Sequence, residues 1–514
     1  MSTDTPAPVL AHGAPSLATG EDTAASQYAR GNELRRQGEY EAAEHALRRA
    51  LALEPRLFDA RLSLAFLYRD LGRLDEAVSL FDPWLQSRPD DAILLGRVAR
   101  LLDALGDRER ALSCYEQSIA RDDTLAPSWF ERGRLLLQQG QFDEAARSFD
   151  RTLALDPDYG AAYLLLVQTR RFTKSDPWIE VIEGHARRIT RSSATGACLH
   201  FARGKIHDDL GQWEAALAEI EAANDIRHQE VPFDRAQCDD RVKRLLAIPQ
   251  GFWVAPEPLP PKIAPEPFFI VGLPRTGTTL FEHLLTTHPA IATTGESDHL
   301  PLLLDALGLP EPLQASRTPG PGFPRSLTAK ERLQAIADYR TELTRGTAPD
   351  TRYVIDKNPL NFWNLGPIHK LFPHAPIVAV ERDPRDVLLS LYFQNFDRAE
   401  LAFSYSIPDI LFYLDRYRIL MNHWQNVLGI RLRILRYETL VREPTTVVDE
   451  ILGWLGLAPT GAQEQVERDQ VVIRTASTWQ ARQPIYQRSV GRWKPYAGDL
   501  VTRHPELARL GFSS

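Results

Sequence analysis

The stretch FFIVGLPRTGTTL, residues 268–280, decides the fold of the second half of this chain. Its first part, residues 268–271, has the length and the β-propensity of a buried strand. A turn that carries Gly272 and Gly277 follows, and a helical pattern continues over residues 281–287. A strand, a glycine-bearing turn and a helix start bring several backbone N–H groups to one point, where the helix dipole adds positive potential. The turn is therefore predicted to hold an anion such as phosphate.

This turn nearly matches the Walker A pattern G-x-x-x-x-G-K-[ST], but Thr278 stands where that pattern needs lysine. The lysine reaches the β- and γ-phosphates of a nucleotide, and the next hydroxyl holds magnesium. A metal-dependent NTPase or nucleotide kinase is therefore disfavoured, and no metal is expected. Arg275 is the replacement cation, because its guanidinium can clamp a tetrahedral anion by itself. A purely structural turn is the alternative.

A second basic turn in the sequence argues against a purely structural role for the first. Residues 375–380 (APIVAV) indicate another buried strand, which is followed by ERDPRD and an apolar helix. Arg382 falls at the carboxyl end of this strand, the edge at which ligands of parallel sheets bind. Ser390, on the helix, can meet the same anion. Arg385 is interpreted as a surface or interdomain salt-bridge residue.

Taken together, PRTGTTL at 274–280 and ERDPRDVLLSLYF at 381–393 resemble the sulfotransferase superfamily, over residues 267 to 496. The resemblance implies an α/β, P-loop-like domain with a parallel sheet. It implies 3′-phosphoadenosine 5′-phosphosulfate (PAPS) as co-substrate, adenosine 3′,5′-bisphosphate as product, and no metal. The residues implied for the 5′-phosphosulfate are Arg275, Thr276, Gly277, Thr278 and Thr279. Those implied for the 3′-phosphate are Arg382 and Ser390.

The first half of the chain is a repeat array. Gly38, Gly72, Gly106 and Gly140 are 34 residues apart. Alanines follow at one fixed offset (Ala43, Ala77, Ala111, Ala145) and large apolar residues at another (Leu47, Phe81, Tyr115, Phe149). This pattern predicts paired helices, with glycine ending the first helix and alanine at the close crossing. It resembles the tetratricopeptide repeat over residues 24–157, with a further unit at 197–228 and a degraded one near 160–195.

The repeats are expected to bind and not to perform chemistry. They form either a scaffold or dimerisation arm, through which the chain binds a protein partner or itself, or a concave groove for a peptide or protein substrate.

Within the superfamily, the chain resembles bacterial proteins that fuse such repeats to a sulfotransferase domain, and its second half is similar to the tyrosylprotein sulfotransferases. Gly295-Glu296 implies Glu296 as the general base. Asp356-Lys357-Asn358-Pro359 implies that Lys357 stabilises the transferred group, together with Arg275. The segment YETLV at 437–441 implies that Tyr437 contacts the nucleotide.

A last segment, with STWQ at 477–480 and GRW at 491–493, looks like the C-terminal cofactor lid. It implies that Ser477 and Arg492 reach the 3′-phosphate. The tyrosylprotein enzymes usually have a membrane anchor, a lysine where Arg492 stands and a serine where Thr276 stands. The identity of the acceptor does not transfer with the resemblance.

The leading hypothesis is a PAPS-dependent sulfotransferase acting on a hydroxyl or phenol, including a protein or peptide tyrosine presented by the repeats. Glu296 is the candidate base and His299 its rival, whereas His288 is interpreted as a structural cap. The alternative from another class is a repeat scaffold whose nucleotide-binding domain is not catalytic.

The predicted organisation is a disordered segment at 1–23, a helical repeat array at 24–247, a proline-rich linker at 248–266 without helix or central strand, and the sulfotransferase domain at 267–514. Residues 301–352 are expected to form an insertion over the acceptor cleft.

Composition sets the broad class. The 514 residues are 43% hydrophobic and 25% charged, with a net charge of −8, which is typical of a globular protein and gives no argument for nucleic acid or anionic membrane as a partner. Three scattered cysteines (Cys114, Cys198, Cys238) exclude a disulfide scaffold or zinc site and fit a reducing compartment. No signal peptide or apolar run of about 20 residues occurs. A cytoplasmic location is predicted.

Overall fold

The computed structural model describes residues 23–36, 39–71, 73–83, 90–189, 193–253, 264–297, 299–307, 327–344, 347–396, 398–428, 432–459 and 489–510. The chain divides between Ser128 and Trp129 into two compact units. Within the described ranges, no helix is long and apolar enough to cross a membrane.

The first unit is built from antiparallel helix pairs. Its helices are α1 (Ala24–Arg36), α2 (Tyr40–Leu53), α3 (Phe58–Asp70), α4 (Leu74–Ser79), α5 (Ala92–Leu105) and α6 (Arg108–Arg121). Ala43 and Leu47 of α2 are fully buried against α1, where a Cβ on Gly31 would lie 2.6 Å from Leu47 Cγ. Gly106 ends α5 with a φ of 93°, as the repeat pattern predicts. Gly38 and Gly72 lie outside the described residues.

The second unit begins with further repeat helices. They are α7 (Ala126–Gln139), α8 (Phe142–Leu155), α9 (Gly160–Leu166), α10 (Trp178–Ala186), α11 (Ala194–Asp209), α12 (Trp213–Glu230), α13 (Arg235–Ala247) and α14 (Gln250–Trp253). Ala145 and Phe149 are fully buried at the predicted crossing of α7 and α8. The short helices α9 and α10 form the predicted degraded unit, and α11 with α12 forms the predicted further unit. The helical repeat region is thereby confirmed.

Among its described residues, the proline-rich segment differs from its prediction at two places. Glu266, its last residue, already belongs to the central strand of the sheet and pairs with Tyr353. Residues 250–253 form a single helical turn, so the expectation of no helix is wrong there. Pro249 stands before that turn, a position at which proline does not disturb a helix. Trp253 is fully buried and packs edge-on against Trp424, with 5.6 Å between the ring centroids. This apolar anchor favours the helical turn.

The rest of the second unit is a parallel sheet between two layers of helices, as predicted. The strands are β1 (Glu266–Gly272), β2 (Ile291–Gly295), β3 (Tyr353–Lys357), β4 (Ile377–Glu381) and β5 (Leu432–Arg436), in the spatial order β2-β3-β1-β4-β5. The helices are α15 (Thr278–Leu285), α16 (His299–Ala306), α17 (Ala329–Leu343), α18 (Leu365–Leu371), α19 (Pro384–Tyr392), α20 (Ile407–Leu428), α21 (Tyr437–Arg442), α22 (Pro444–Leu455) and α23 (Ala497–Arg503). Every strand pair is parallel, so all carboxyl ends share one edge.

Alternate residues of β1 fill two cores. Phe268 and Ile270 pack with α15, α21 and α22 on one face of the sheet. Phe269 and Val271 pack on the other face, in a core that also contains Leu217 of the repeat helix α12. The last repeat helices are thus part of the same core as the sheet.

The close crossing of α7 and α8 gives a stability prediction. A Cβ on Gly133 would lie 2.8 Å from Phe149 Cε1, so Gly133→Ala overpacks the crossing. We expect a loss of about 1–3 kcal/mol in the free energy of unfolding, measured by urea denaturation. Gly184→Ala in α10 is the matched control, because its Cβ would meet open space. If both variants unfold at the same urea concentration, the close crossing does not limit stability.

Candidate active site

Each of the five strands leads directly to a residue or a loop that was predicted for the site. The central strand β1 leads into the 272–279 loop. Its two neighbours, β3 and β4, lead to Lys357 and Arg382. The outer strands β2 and β5 are followed by Glu296 and Tyr437. Strands β2 and β3 lie on one side of β1, and β4 and β5 lie on the other, so the strand order reverses at β1. Open α/β sheets bind ligands at the carboxyl edge beside such a reversal.

The 272–279 loop has the geometry of an anion cradle. Three residues of this loop have positive φ angles: Gly272 (148°), Arg275 (72°) and Gly277 (100°). Arg275 is the one of the three that has a side chain. A left-handed arginine is strained, and such strain is typical of functional loops. Helix α15 begins directly after Gly277, without a side-chain cap on its N-terminus. The first-turn N–H groups of α15 therefore face a position suited to an anion.

Two features require glycine at position 277: its positive φ angle and the closeness of the Tyr437 ring. A Cβ at this position would overlap the ring of Tyr437. The Thr276 hydroxyl donates to the Leu273 carbonyl at 2.8 Å and closes the loop. Thr278 is buried and Thr279 is partly buried in the first turn of α15. The ring of Tyr437 thus forms one wall of the loop.

Arg275, Arg382 and Ser390 lie together. Arg275 Nε donates to Ser390 Oγ at 3.0 Å, which joins the first loop to helix α19. Arg382 Nη1 donates to the Arg275 carbonyl at 3.1 Å. The two basic turns recognised in the sequence therefore form one cluster at the carboxyl edge of the sheet.

Arg382 is a buried cation with a spare donor. Its guanidinium lies over the Tyr437 ring, 4.8 Å from the centroid, and donates through Nη2 to the Ser489 carbonyl. Burial lowers the pKa of Arg382. Within the described part of the chain, its Nε has no hydrogen-bond partner. A buried donor without a partner is costly, and an anion at this place satisfies it.

Lys357 and Glu296 form an ion pair. Lys357 Nζ lies 2.6 Å from Glu296 Oε1, and the Lys357 side chain is only 1% exposed. The Glu296 side chain is 39% exposed. Lysine thus approaches the site from the buried side, and the carboxylate stands at the surface, where an acceptor can reach it.

The two histidines near Glu296 differ in environment. His288 accepts from the Ala290 N–H at 3.1 Å and lies 3.2 Å from the Ala458 carbonyl, which agrees with its interpretation as a structural cap. His299 is exposed at the start of α16, and its backbone N–H donates to Ser297 Oγ at 3.1 Å. His299 stays the rival base.

The predicted lid is described only in its last part. Ser477 lies outside the described residues. Arg492 pairs with Asp208 of the repeat helix α11, with 2.8 Å between Nη2 and Oδ2. Arg492 therefore contacts the repeats, and its charge also acts on Arg382 of the cluster, where it contributes to the lowered pKa of Arg382. Its role toward the 3′-phosphate stays a prediction.

Two carboxylates beside the candidate site were not identified from the sequence. Asp386 is buried, and its two oxygens accept the N–H groups of Gly491 at 2.7 Å and Trp493 at 3.1 Å, which fixes the lid segment beside Arg382. Glu282 lies 3.5 Å from Lys357 Nζ. The available signal for Glu282 was a carboxylate inside the apolar stretch TTLFEHLL; none distinguished Asp386 from a helix-cap residue.

A parallel sheet with a glycine-bearing loop after its central strand, and an arginine directly after the neighbouring strand, is typical of α/β domains that bind phosphate-like groups. Residues 267–460 match the sulfotransferase family. Residues 34–101, 99–160 and 130–169 match the tetratricopeptide repeat. The chain therefore has segments that match tetratricopeptide repeats, followed by a segment that matches the sulfotransferase family.

Three curated proteins are similar to this chain. An uncharacterized protein of Aquifex aeolicus is 26% identical, covering 74% of this chain and 49% of that protein. Nodulation protein NoeE of Sinorhizobium fredii is 26% identical, covering 45% and 61%. The protein-tyrosine sulfotransferase of Drosophila melanogaster is 24% identical, covering 57% of each chain. The chain thus spans about half the length of these relatives.

Proposed function

We propose that this chain transfers the sulfuryl group of PAPS to an acceptor hydroxyl or phenol. The observation that carries the proposal is the contact between the two basic turns, in which Arg382 donates to the Arg275 carbonyl and Arg275 donates to Ser390. One cluster of two guanidinium groups beside a helix N-terminus suits a ligand with two anionic ends. PAPS has that form.

The residues of the cluster fit the two ends of such a nucleotide. The loop amides and Arg275 are assigned to the 5′-phosphosulfate, and Arg382 with Ser390 to the 3′-phosphate. The unpartnered Arg382 Nε supports an anion at this position. Tyr437 is assigned to the nucleotide because its ring lies between Gly277 and Arg382.

Transfer needs alignment, removal of one proton and neutralisation of charge. Glu296 is assigned to accept the proton of the attacking hydroxyl, because its carboxylate is the exposed partner of the ion pair. The acceptor oxygen then bonds to sulfur, and the bond from sulfur to the bridging phosphate oxygen breaks. Lys357 and Arg275 are assigned to the sulfuryl oxygens and the departing bridging oxygen.

The acceptor class and the partners are part of this proposal. A phenolic acceptor is supported by the similarity to a protein-tyrosine sulfotransferase. The repeats are assigned to binding a protein or peptide, because repeats of this type form extended concave surfaces. A cytoplasmic location is proposed on the three cysteines, whose scattered positions in the sequence form no disulfide framework.

Ligand-induced stabilisation tests the proposal. We expect adenosine 3′,5′-bisphosphate, without any metal, to stabilise the full chain by about 2.7 kcal/mol at 100 times its dissociation constant. The measurement is thermal unfolding, compared with ATP plus magnesium at the same concentration. Stabilisation by ATP plus magnesium alone indicates a nucleotide kinase and contradicts the proposal. If neither nucleotide stabilises the chain, the proposal fails and the interpretation as a repeat scaffold is favoured.

A further inference from the structure

Glu282 is a buried carboxylate on α15, the helix that begins at the anion-binding loop. Its side chain is 11% exposed, and Oε2 lies 3.5 Å from Lys357 Nζ. Its other oxygen, Oε1, accepts a hydrogen bond from the Thr293 hydroxyl at 2.6 Å. Glu282 therefore connects three elements of the site: α15, β2 and β3.

The contact with Thr293 continues toward the candidate base. Thr293 Oγ1 also accepts the N–H of Gly295 at 2.9 Å. Gly295 has a φ of 69° and directly precedes Glu296, so this hydrogen bond fixes the turn from which Glu296 projects. Glu282 thus reaches Glu296 by two routes, one through Lys357 and one through Thr293 and Gly295.

Glu282 also balances the positive charge of Lys357. Lys357 is buried, and a buried ammonium is stable only with a partner of opposite charge. Its nearer partner, Glu296, loses its negative charge when it takes up the proton of the acceptor. At that moment Glu282 is the carboxylate that remains beside the ammonium.

We infer that Glu282 is a positioning residue for sulfuryl transfer: it holds the Lys357 side chain in place while Glu296 is protonated, and it fixes the turn that carries Glu296. The inference rests on the proposed function, since it assigns no chemistry of its own to Glu282. It predicts an effect on turnover and none on nucleotide binding.

The surroundings of Glu282 couple it to the same groups. The charged groups that act on Glu282 are Lys357 of β3 and Glu296 of the loop after β2, and burial raises the pKa of Glu282. The Lys357 ammonium and the Thr293 hydroxyl oppose this rise, because both interactions favour the charged carboxylate. The two groups that stabilise the charge of Glu282 are therefore the two that it holds in place.

The test compares kcat with nucleotide affinity for Glu282→Gln in the full chain. We expect kcat to fall roughly three- to tenfold, while the affinity for adenosine 3′,5′-bisphosphate stays within about twofold. Glu282→Asp keeps the charge and should recover most of the lost kcat, which a merely structural role does not predict. Thr293→Val removes the hydroxyl that joins Glu282 to the turn, so it should also lower kcat at unchanged affinity.

The matched control is Asp409→Asn, a buried carboxylate on α20 that is ion-paired with Arg235 away from the site. It can lower the unfolding temperature, but it should leave kcat unchanged. An unchanged kcat in Glu282→Gln, or an equal fall in Asp409→Asn, overturns the inference. If the wild-type chain transfers no sulfuryl group from PAPS, the proposed function fails instead, which is a separate result.

Discussion

Glu296→Gln is expected to lower kcat by about 10²–10⁴-fold, because glutamine cannot accept the proton that the attacking hydroxyl must lose. The amide oxygen of the introduced glutamine can still contact Lys357 Nζ, which lies 2.6 Å from Glu296 Oε1, so the local structure should be retained. Affinity for adenosine 3′,5′-bisphosphate should stay within about twofold of the wild type. The measurement is sulfuryl transfer from radiolabelled PAPS, with nucleotide binding determined by calorimetry.

Two controls make this result specific. Glu450→Gln changes an exposed glutamate on α22 and should leave kcat unchanged. His299→Asn removes the rival base, which is exposed at the start of α16. Near-normal turnover of Glu296→Gln together with a large loss in His299→Asn would assign the proton transfer to His299 and contradict our account.

Arg382→Met is expected to weaken the binding of adenosine 3′,5′-bisphosphate by about 10²-fold or more. Truncating one partner of a buried charge pair typically costs roughly 2–5 kcal/mol, and each 1.4 kcal/mol is about tenfold in affinity. Methionine keeps the length of the side chain over the Tyr437 ring but supplies no donor. The dissociation constant is measured by calorimetry, and circular dichroism verifies that the variant is folded.

Arg385→Met is the matched control for this prediction. Arg385 lies three residues further along the same turn, but its Nη2 pairs with Asp383 Oδ2 at 2.7 Å and its guanidinium lies over Trp493. We expect its dissociation constant to change by no more than a few-fold, because its guanidinium is already paired with the Asp383 carboxylate. Equal losses in the two variants would mean that Arg382 acts on the turn and not on the nucleotide.

Most residues of this candidate site could be predicted from the sequence because they come directly after the strands. In a parallel sheet the residues after each strand meet at one edge, so recognising the strands before Arg275 and Arg382 was enough to place both residues there. The repeat helices were predictable for a similar reason. Each pair buries its own alanine and large apolar residue, as Ala145 and Phe149 do, and the period is visible without any tertiary information.

What the sequence could not predict depends on partners distant in the chain. Glu282 looks like an ordinary helix residue until Lys357 and Thr293 are brought beside it by strand pairing. Arg492 pairs with Asp208, 284 residues earlier in the chain, because the last repeat helices share a core with the sheet. Local patterns of hydrophobicity contain no information about such contacts.

The central claim is that the two basic turns bind opposite ends of one nucleotide. Its most direct test is the measurement of phosphate-to-guanidinium distances in a crystal structure of the full chain with adenosine 3′,5′-bisphosphate. We predict one nucleotide per chain, with its 5′-phosphate within hydrogen-bond distance of the 272–279 loop and its 3′-phosphate within hydrogen-bond distance of Arg382 and Ser390. A nucleotide bound elsewhere, or one that contacts Arg275 while Arg382 keeps only its present partners, would contradict the account.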